Sequence, residues 1–466
     1  MVVLCDSHRD FGMNPSKRYD TAMRRTVIAA ALALLTSTAL HAQCADIAGV
    51  LGRLDGARMK LTVEKLVSFG TRHTLSDTKS DTRGIGAARR WIFDELTRVA
   101  AASNGRMTVS YQSSMQQGPR TNNTPAEMIN VVATIRGTTD PDRIYIATGH
   151  YDSMNSDIMN STLDAPGADD DASGVAVIMD VARALSQHPL DATVMLVAVQ
   201  GEEQGLLGSR GLAEEAVAKK WNVEGMITND IVGGTVGGEG DIDNRTIRIF
   251  SANTKGAGDG TSRHWARFVR DGVRLYLPHV KPRLIYRLDR FGRGGDHSSF
   301  FERGFPAIRF TEANEDYKHE HQTVRVENGA QYGDLPEFVS GDYMRLVASV
   351  NAVALVTGAC APAAPKNVKA TGAVTNDTTL SWDMGTDADL AGYEIVIRET
   401  TSDDWEKVIP VGKVARYTLK DFTIDNVFMG VRAVDSDGNR SPVRTPDERL
   451  PELPARSAVA PAAAPK

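Results

Sequence analysis

The sequence predicts an α/β domain, a mostly parallel mixed sheet sandwiched by helices over residues 43–360, followed by a small all-β sandwich over residues 367–448. Three observations carry this prediction. At 466 residues the chain suits one large domain plus a smaller one. Up to Cys360, apolar strand-like runs alternate with helical patterns, which argues a largely parallel sheet covered on both faces. Beyond it the texture changes to short β runs separated by turn clusters.

At the amino end, Arg24 and Arg25 precede the apolar run Val27 to Leu35 and a small, polar stretch ending at Ala42. This pattern predicts a secretory leader cleaved near Ala42, with residues 1–42 outside the fold and Met23 as an alternative start. The run is too short for a stable membrane span, so the mature chain is expected to be exported, periplasmic or secreted. Cys44 and Cys360 then remain as a pair in an oxidising compartment. One disulfide or two separate thiols both stay open, because sequence separation does not report a Cα distance.

From Ala45 to about Ala100 the pattern is helical, with Ile85, Ala88, Trp91, Ile92, Leu96 and Val99 recurring three and four apart. Strands are expected at 128–135, 144–148, 193–199, 226–228, 247–251 and 307–310. Helical spacing recurs through Val175, Ile178, Met179, Ala182 and Leu185. Residues 361–366, rich in Ala and Pro, read as a linker, and 449–466 as a disordered tail. Between them, β runs are expected at 378–382, 393–397, 416–419 and 428–433. With Trp382, Tyr393 and Phe428 to Ala433 in core-strand positions, this region is similar to a fibronectin type III module, although that family usually has Tyr where Phe428 stands.

A formal charge of -6 and a pI near 6.0 give no electrostatic case for nucleic acid. The chemistry lies elsewhere. His150, Asp169-Asp-Asp171, Glu202-Glu203, Asp230 and His321 each follow an apolar run or lie in the loop it feeds, the edge where open α/β sheets bind ligands. Taken singly, an Asp triplet is a helix cap or solvated turn, a Glu pair is exposed, and a lone His is a satisfied polar residue. Taken together, carboxylates and imidazoles on one edge repel unless a cation joins them. Mixed His and carboxylate ligands without thiolate suit zinc in a hydrolytic site, and two ions sharing a bridging carboxylate need five side chains. A remaining free glutamate then suits general acid–base work.

The motifs Gly149-His-Tyr-Asp-Ser153, Ala165 to Gly174, Gly201 to Ser209, Asn229-Asp230, Gly295-Asp-His297 and His321 occur in order. On these, residues 45–358 resemble the zinc exopeptidases that include secreted bacterial leucyl aminopeptidases, glutamate carboxypeptidase and glutaminyl cyclase. The resemblance implies two zinc ions, one held by His150, Asp170 and Asp230 and the other by Asp170, Glu203 and His321, with Glu202 as the base. It also implies a non-proline cis bond at Asp170-Asp171, with Asp152 orienting His150. Asp296 and His297 fall behind the ligands or on the substrate side. His319 competes with His321; Gln322-Thr323 after His321 favours the latter. Gly295 stands where the family often has Ser, and Arg293 lies where some members place an upstream Tyr. Peptides are the expected partners and aminopeptidase the leading activity. Arg287, Arg290, Arg293 and Arg309 keep a carboxypeptidase open; a glutaminyl cyclase works with one zinc, against the five ligands here. A non-catalytic binding protein is the rival of another class, though such relatives lose ligands. The sandwich leaves contact with a surface or polymer as a further expectation.

Overall fold

The structure, a computed structural model, describes residues 44–253 and 259–446; the expected leader and tail lie outside the described residues. Helices α1 (Ile47–Leu51) and α2 (Gly56–Val67) start at Asp46 and Asp55, whose carboxylates accept from the first free backbone N–H groups. Helix α3 spans Gly84–Ala101 and buries Ile85, Ala88, Ile92, Leu96 and Val99.

An eight-stranded sheet follows in the order β1-β2-β4-β3-β5-β8-β6-β7. Its strands are β1 (Met107–Gln116), β2 (Ala126–Ile135), β3 (Asp140–His150), β4 (Ala192–Val199), β5 (Asn222–Asn229), β6 (Thr246–Phe250), β7 (Lys281–Ile285) and β8 (Ala307–Thr311). The centre, β4-β3-β5-β8, is parallel, while β1 and β2 run antiparallel at one edge and β6 pairs antiparallel with β8. Alternate residues of one strand feed two cores. Tyr145 and Ala147 join the cluster with α2, α3, α4 (Gly174–Leu185) and α8 (Gly341–Cys360), whereas Ile144 and Ile146 meet α5 (Leu207–Ala218) on the other face. Burial on both faces is why these strands read as unbroken apolar runs. Helix α8 is long and apolar enough to cross a membrane, yet 83% of that window is buried in the fold, where it packs on α2, α4 and α6 (Thr261–Tyr276).

The pair Cys44–Cys360 forms a disulfide, with Cα atoms 5.8 Å apart. Of the two readings open for these residues, the bridge is the one found.

Helix α7 (His297–Phe301) precedes β8, and strands β9 (Arg325–Glu327) and β10 (Ala330–Tyr332) pair in the loop after it; beyond α8, two three-stranded antiparallel sheets, β11-β12-β15 and β14-β13-β16, enclose one core of Leu380, Trp382, Tyr393, Ile395 and Val431. The ranges are β11 Lys366–Thr371, β12 Thr378–Asp383, β13 Leu390–Glu399, β14 Lys407–Gly412, β15 Arg416–Leu419 and β16 Val427–Asp435. Residues 361–365 connect this unit to α8 and are packed: Ala361 and Ala364 are buried, and Arg143 donates to the Ala361 carbonyl at 2.8 Å. The sheets also rest on α6. Buried Asp259 pairs with both Arg267 of α6 and Arg398 of β13, Arg270 donates to Asp403 O at 3.0 Å, and Trp405 stacks on His264.

Candidate metal centre

The carboxyl ends of β3, β4, β5 and β8 lie together because those strands are parallel neighbours. His150 ends β3, Glu202 and Glu203 follow β4, Asp230 follows β5, and His321 comes from the long loop after β8. Asp170 lies in the irregular turn 168–173 that leads into α4, where the Asp170-Asp171 peptide is cis. Gly149 and Gly174 let these elements close up: a Cβ at 149 would lie 2.5 Å from the Gly174 carbonyl carbon.

Asp170 stands between two groups. Its Oδ1 is 3.0 Å from His150 Nε2, which is 3.9 Å from Asp230 Oδ1. Its Oδ2 is 2.9 Å from His321 Nε2, which is 3.2 Å from Glu203 Oε2. Both histidine Nε2 atoms and Glu203 Oε1 are buried without a hydrogen bond of good geometry. Buried polar atoms of this kind are normally satisfied, so the five side chains fit a pair of cations.

Surrounding groups fix these ligands. His150 Nδ1 is 3.2 Å from Asp152 O and 3.5 Å from its carboxylate, which in turn accepts from the Glu202 and Glu203 N–H groups, each at 3.2 Å. One buried Asp therefore registers β3 against the loop after β4. The other two members of the triplet point away: Asp171 accepts from His150 N and Gly174 N, and Asp169 from Gly233 N and Gly234 N. Asp171 thus has the capping role that an isolated triplet suggests. His319 stacks on Phe338 at 3.6 Å, outside both groups.

Electrostatics separate the carboxylates. Burial raises Asp230, but Arg309 at 2.7 Å and His150 more than offset it and hold its carboxyl below the usual range. Burial, opposed by His150 and reinforced by Asp230 and Glu203, pushes Glu202 well up. Burial also lifts Asp296, whose two oxygens lack hydrogen-bond partners, to about 7. His297 does not face the groups through Nε2, which bonds Leu288 O at 2.7 Å.

Several positioning residues escaped the sequence reading. Buried Arg72 donates to Tyr151 O, Pro166 O and Gly167 O, tying together the two loops that carry His150 and Asp170. Asp334 accepts from Asp169 N and Asp170 N. A signal existed only for Arg309, a charged residue inside the apolar run 307–310. The departure at Gly295 follows from it, since a Cβ there would lie 2.7 Å from Arg309 Nη1.

Residues 130–328 match the model of peptidase family M28. A probable zinc metalloprotease of Pyrenophora tritici-repentis is 43% identical over 86% of each chain. The chain belongs to peptidase family M28. A second relative, a probable zinc metalloprotease of Pyricularia oryzae, is 43% identical over 86% of this chain and 84% of its own. Among solved structures, LapB from Legionella pneumophila covers 66% of this chain and 74% of its own at TM-score 0.51 and 18% identity, which shows a shared fold. This M28 member is accordingly a zinc metalloprotease, and the groups around Asp170 are candidates to hold its metal.

Proposed function

We propose that the protein is an aminopeptidase working with two zinc ions, held as His150–Asp170–Asp230 and Asp170–Glu203–His321, with Glu202 as general base. Bound zinc supplies Lewis acidity at the scissile carbonyl and acidifies water. Glu202 belongs to neither ligand group, is less buried than Glu203, and has its carboxyl raised, which suits a group that takes a proton from water and passes it to the leaving amine. Water adds across the peptide bond, and the products are a free amino acid and the shortened peptide.

The observation that carries the amino-terminal preference is the state of the arginines. Arg290 engages Asp289 and Glu315, Arg293 engages Glu315 and Glu320, and Arg309 engages Asp230 and Asp289. Three of the four arginines that kept a carboxypeptidase open are thus neutralised, which leaves little positive charge beside the site to hold a substrate carboxylate. The test uses peptides blocked at one end or the other, with and without a chelator. Carboxyl-blocked peptides should be cleaved in a chelator-sensitive way and amino-blocked ones spared; release of carboxyl-terminal residues from amino-blocked peptides overturns the reading.

The Cys44–Cys360 bond, of a kind that persists in oxidising compartments, supports a further part of the proposal, action outside the cytoplasm.

A further inference from the structure

Behind the bridging aspartate lies a second cavity of about 200 Å3. Six carboxylates line it: Asp169, Glu312, Asp316, Glu320, Asp334 and Glu337. Its wall carries one imidazole, His319, stacked on Phe338 and with Nε2 3.9 Å from Asp316 Oδ2, so the donors are oxygens but for that ring.

Two of these side chains turn an unpartnered oxygen inward. Glu312 is 3% exposed and Glu320 6% exposed, and Glu312 Oε2 and Glu320 Oε1 are both buried with no hydrogen bond. A Cβ at Gly234 would lie 2.3 Å from Glu312 Oε2 and 3.0 Å from Asp169 Oδ2, so those two oxygens converge on one spot. Cations meet the cluster at its margins: Arg293 is 2.8 Å from Glu320 Oε2, Lys318 is 4.0 Å from Asp316 Oδ1, and the charge of buried Arg72 acts on Asp334. Asp169 and Asp334 accept only backbone N–H groups, apart from contacts with other acids. Asp169, Glu312, Glu320 and Asp334 are buried, and burying these four beside three more carboxylates in the metal centre is costly unless positive charge joins them.

We propose that this cavity binds a hard divalent cation, with calcium as the fitting ion. The donors do not form a triplet as tight as the two around Asp170, which suits an ion coordinated partly through water at longer distances. A donor set dominated by carboxylate oxygens also sets the site apart from the two histidine-bearing groups, which suit zinc better. The ion has a structural consequence. Glu320 precedes His321, which stands in the left-handed region at φ 52, and Asp334 holds the N–H groups of Asp169 and Asp170. A cation between these carboxylates ties the loop carrying His321 to the turn carrying the bridging Asp170.

The test uses the full chain loaded with zinc, desalted, and equilibrated with calcium chloride or buffer. Elemental analysis should find about one calcium per chain beside an unchanged zinc content, with a higher melting temperature in calcium. Glu312→Gln and Glu320→Gln should each weaken calcium binding about tenfold or more; if one variant fails to fold, the other decides. The proposal is overturned if the zinc-loaded protein takes up no calcium at millimolar concentration, or if both variants bind it as the parent does. It is equally overturned if Glu312→Gln raises stability while the parent takes up none, since a proton shared between Glu312 and Asp169 then satisfies the cluster.

Discussion

A single carboxylate, Asp170, faces both histidines, each of its oxygens within 3.0 Å of one Nε2. Asp170→Asn is therefore expected to bind markedly less than two zinc ions per chain and to lose nearly all activity. Asp230→Asn should better keep the ion beside Glu203 and His321. Metal analysis of the purified variants checks this, and two tightly bound ions in Asp170→Asn would move the bridge to Asp169 or Asp171. Glu202→Gln should keep its zinc while turnover falls by about two to four orders of magnitude, because it removes proton transfer and no ligand. The histidines add a pH dependence. Burial lowers His321, but Glu203 and Asp170 outweigh it and raise it to about 11 from 6.5. For a raised group, the stabilisation is complete below the ordinary value and fades as pH climbs through the raised one, so the polypeptide holds this proton throughout the neutral range. Zinc must displace it. Apparent zinc affinity should fall as pH drops, by about tenfold per unit for each proton displaced, readable by competition with a chromophoric chelator.

At the scale of elements, the central strands were legible because both faces are buried and their apolar runs are long, as in β4, where every position is buried and all but Thr193 apolar, while β1, β7, β11 and β14 were not. β1 alternates buried and exposed positions with Ser and Gln among them, and β7 is a short strand with two basic residues. Edge strands lose half their hydrophobic signal to solvent. The contact between α6 and the carboxyl-terminal sheets was also hidden, since it rests on Asp259, Arg267 and Arg398, which are far apart in sequence. Asp259→Asn leaves two buried arginines unpaired and should cost about 3–5 kcal/mol, measured by denaturant unfolding. A chain ending near Pro365 removes the same contacts but no proposed ligand. It should melt lower yet retain zinc and cleave small peptides; loss of both in a folded truncation would make the sheets part of the site.

For the molecule as a whole, the Cys44–Cys360 bond joins positions separated by 316 residues, pinning the start of the described chain to the end of α8. Closing so long a loop restricts the unfolded ensemble strongly. A double Cys→Ser variant should lose about 4–5 kcal/mol of stability in the zinc-loaded protein. Unfolding curves of the parent with and without reductant should show the same difference, and coincident curves would mean the bridge adds nothing to stability.

The sequence by itself determined the residue types of the centre, their order, and their placement at the ends of apolar runs, because hydrophobic periodicity is local and marks where each strand stops. Only the tertiary structure decided which member of Asp169-Asp-Asp171 faces both histidines, which of His319 and His321 joins them, and what the arginines neutralise. Those outcomes depend on side-chain directions set by partners outside the local segment: Gly233 and Gly234 hold Asp169, His150 N holds Asp171, Phe338 holds His319, and Asp230 takes Arg309. A one-dimensional pattern carries residue spacing, and the direction of a side chain on an irregular loop is fixed by packing and hydrogen bonds that close over long stretches of chain, 95 residues between Arg72 and Gly167.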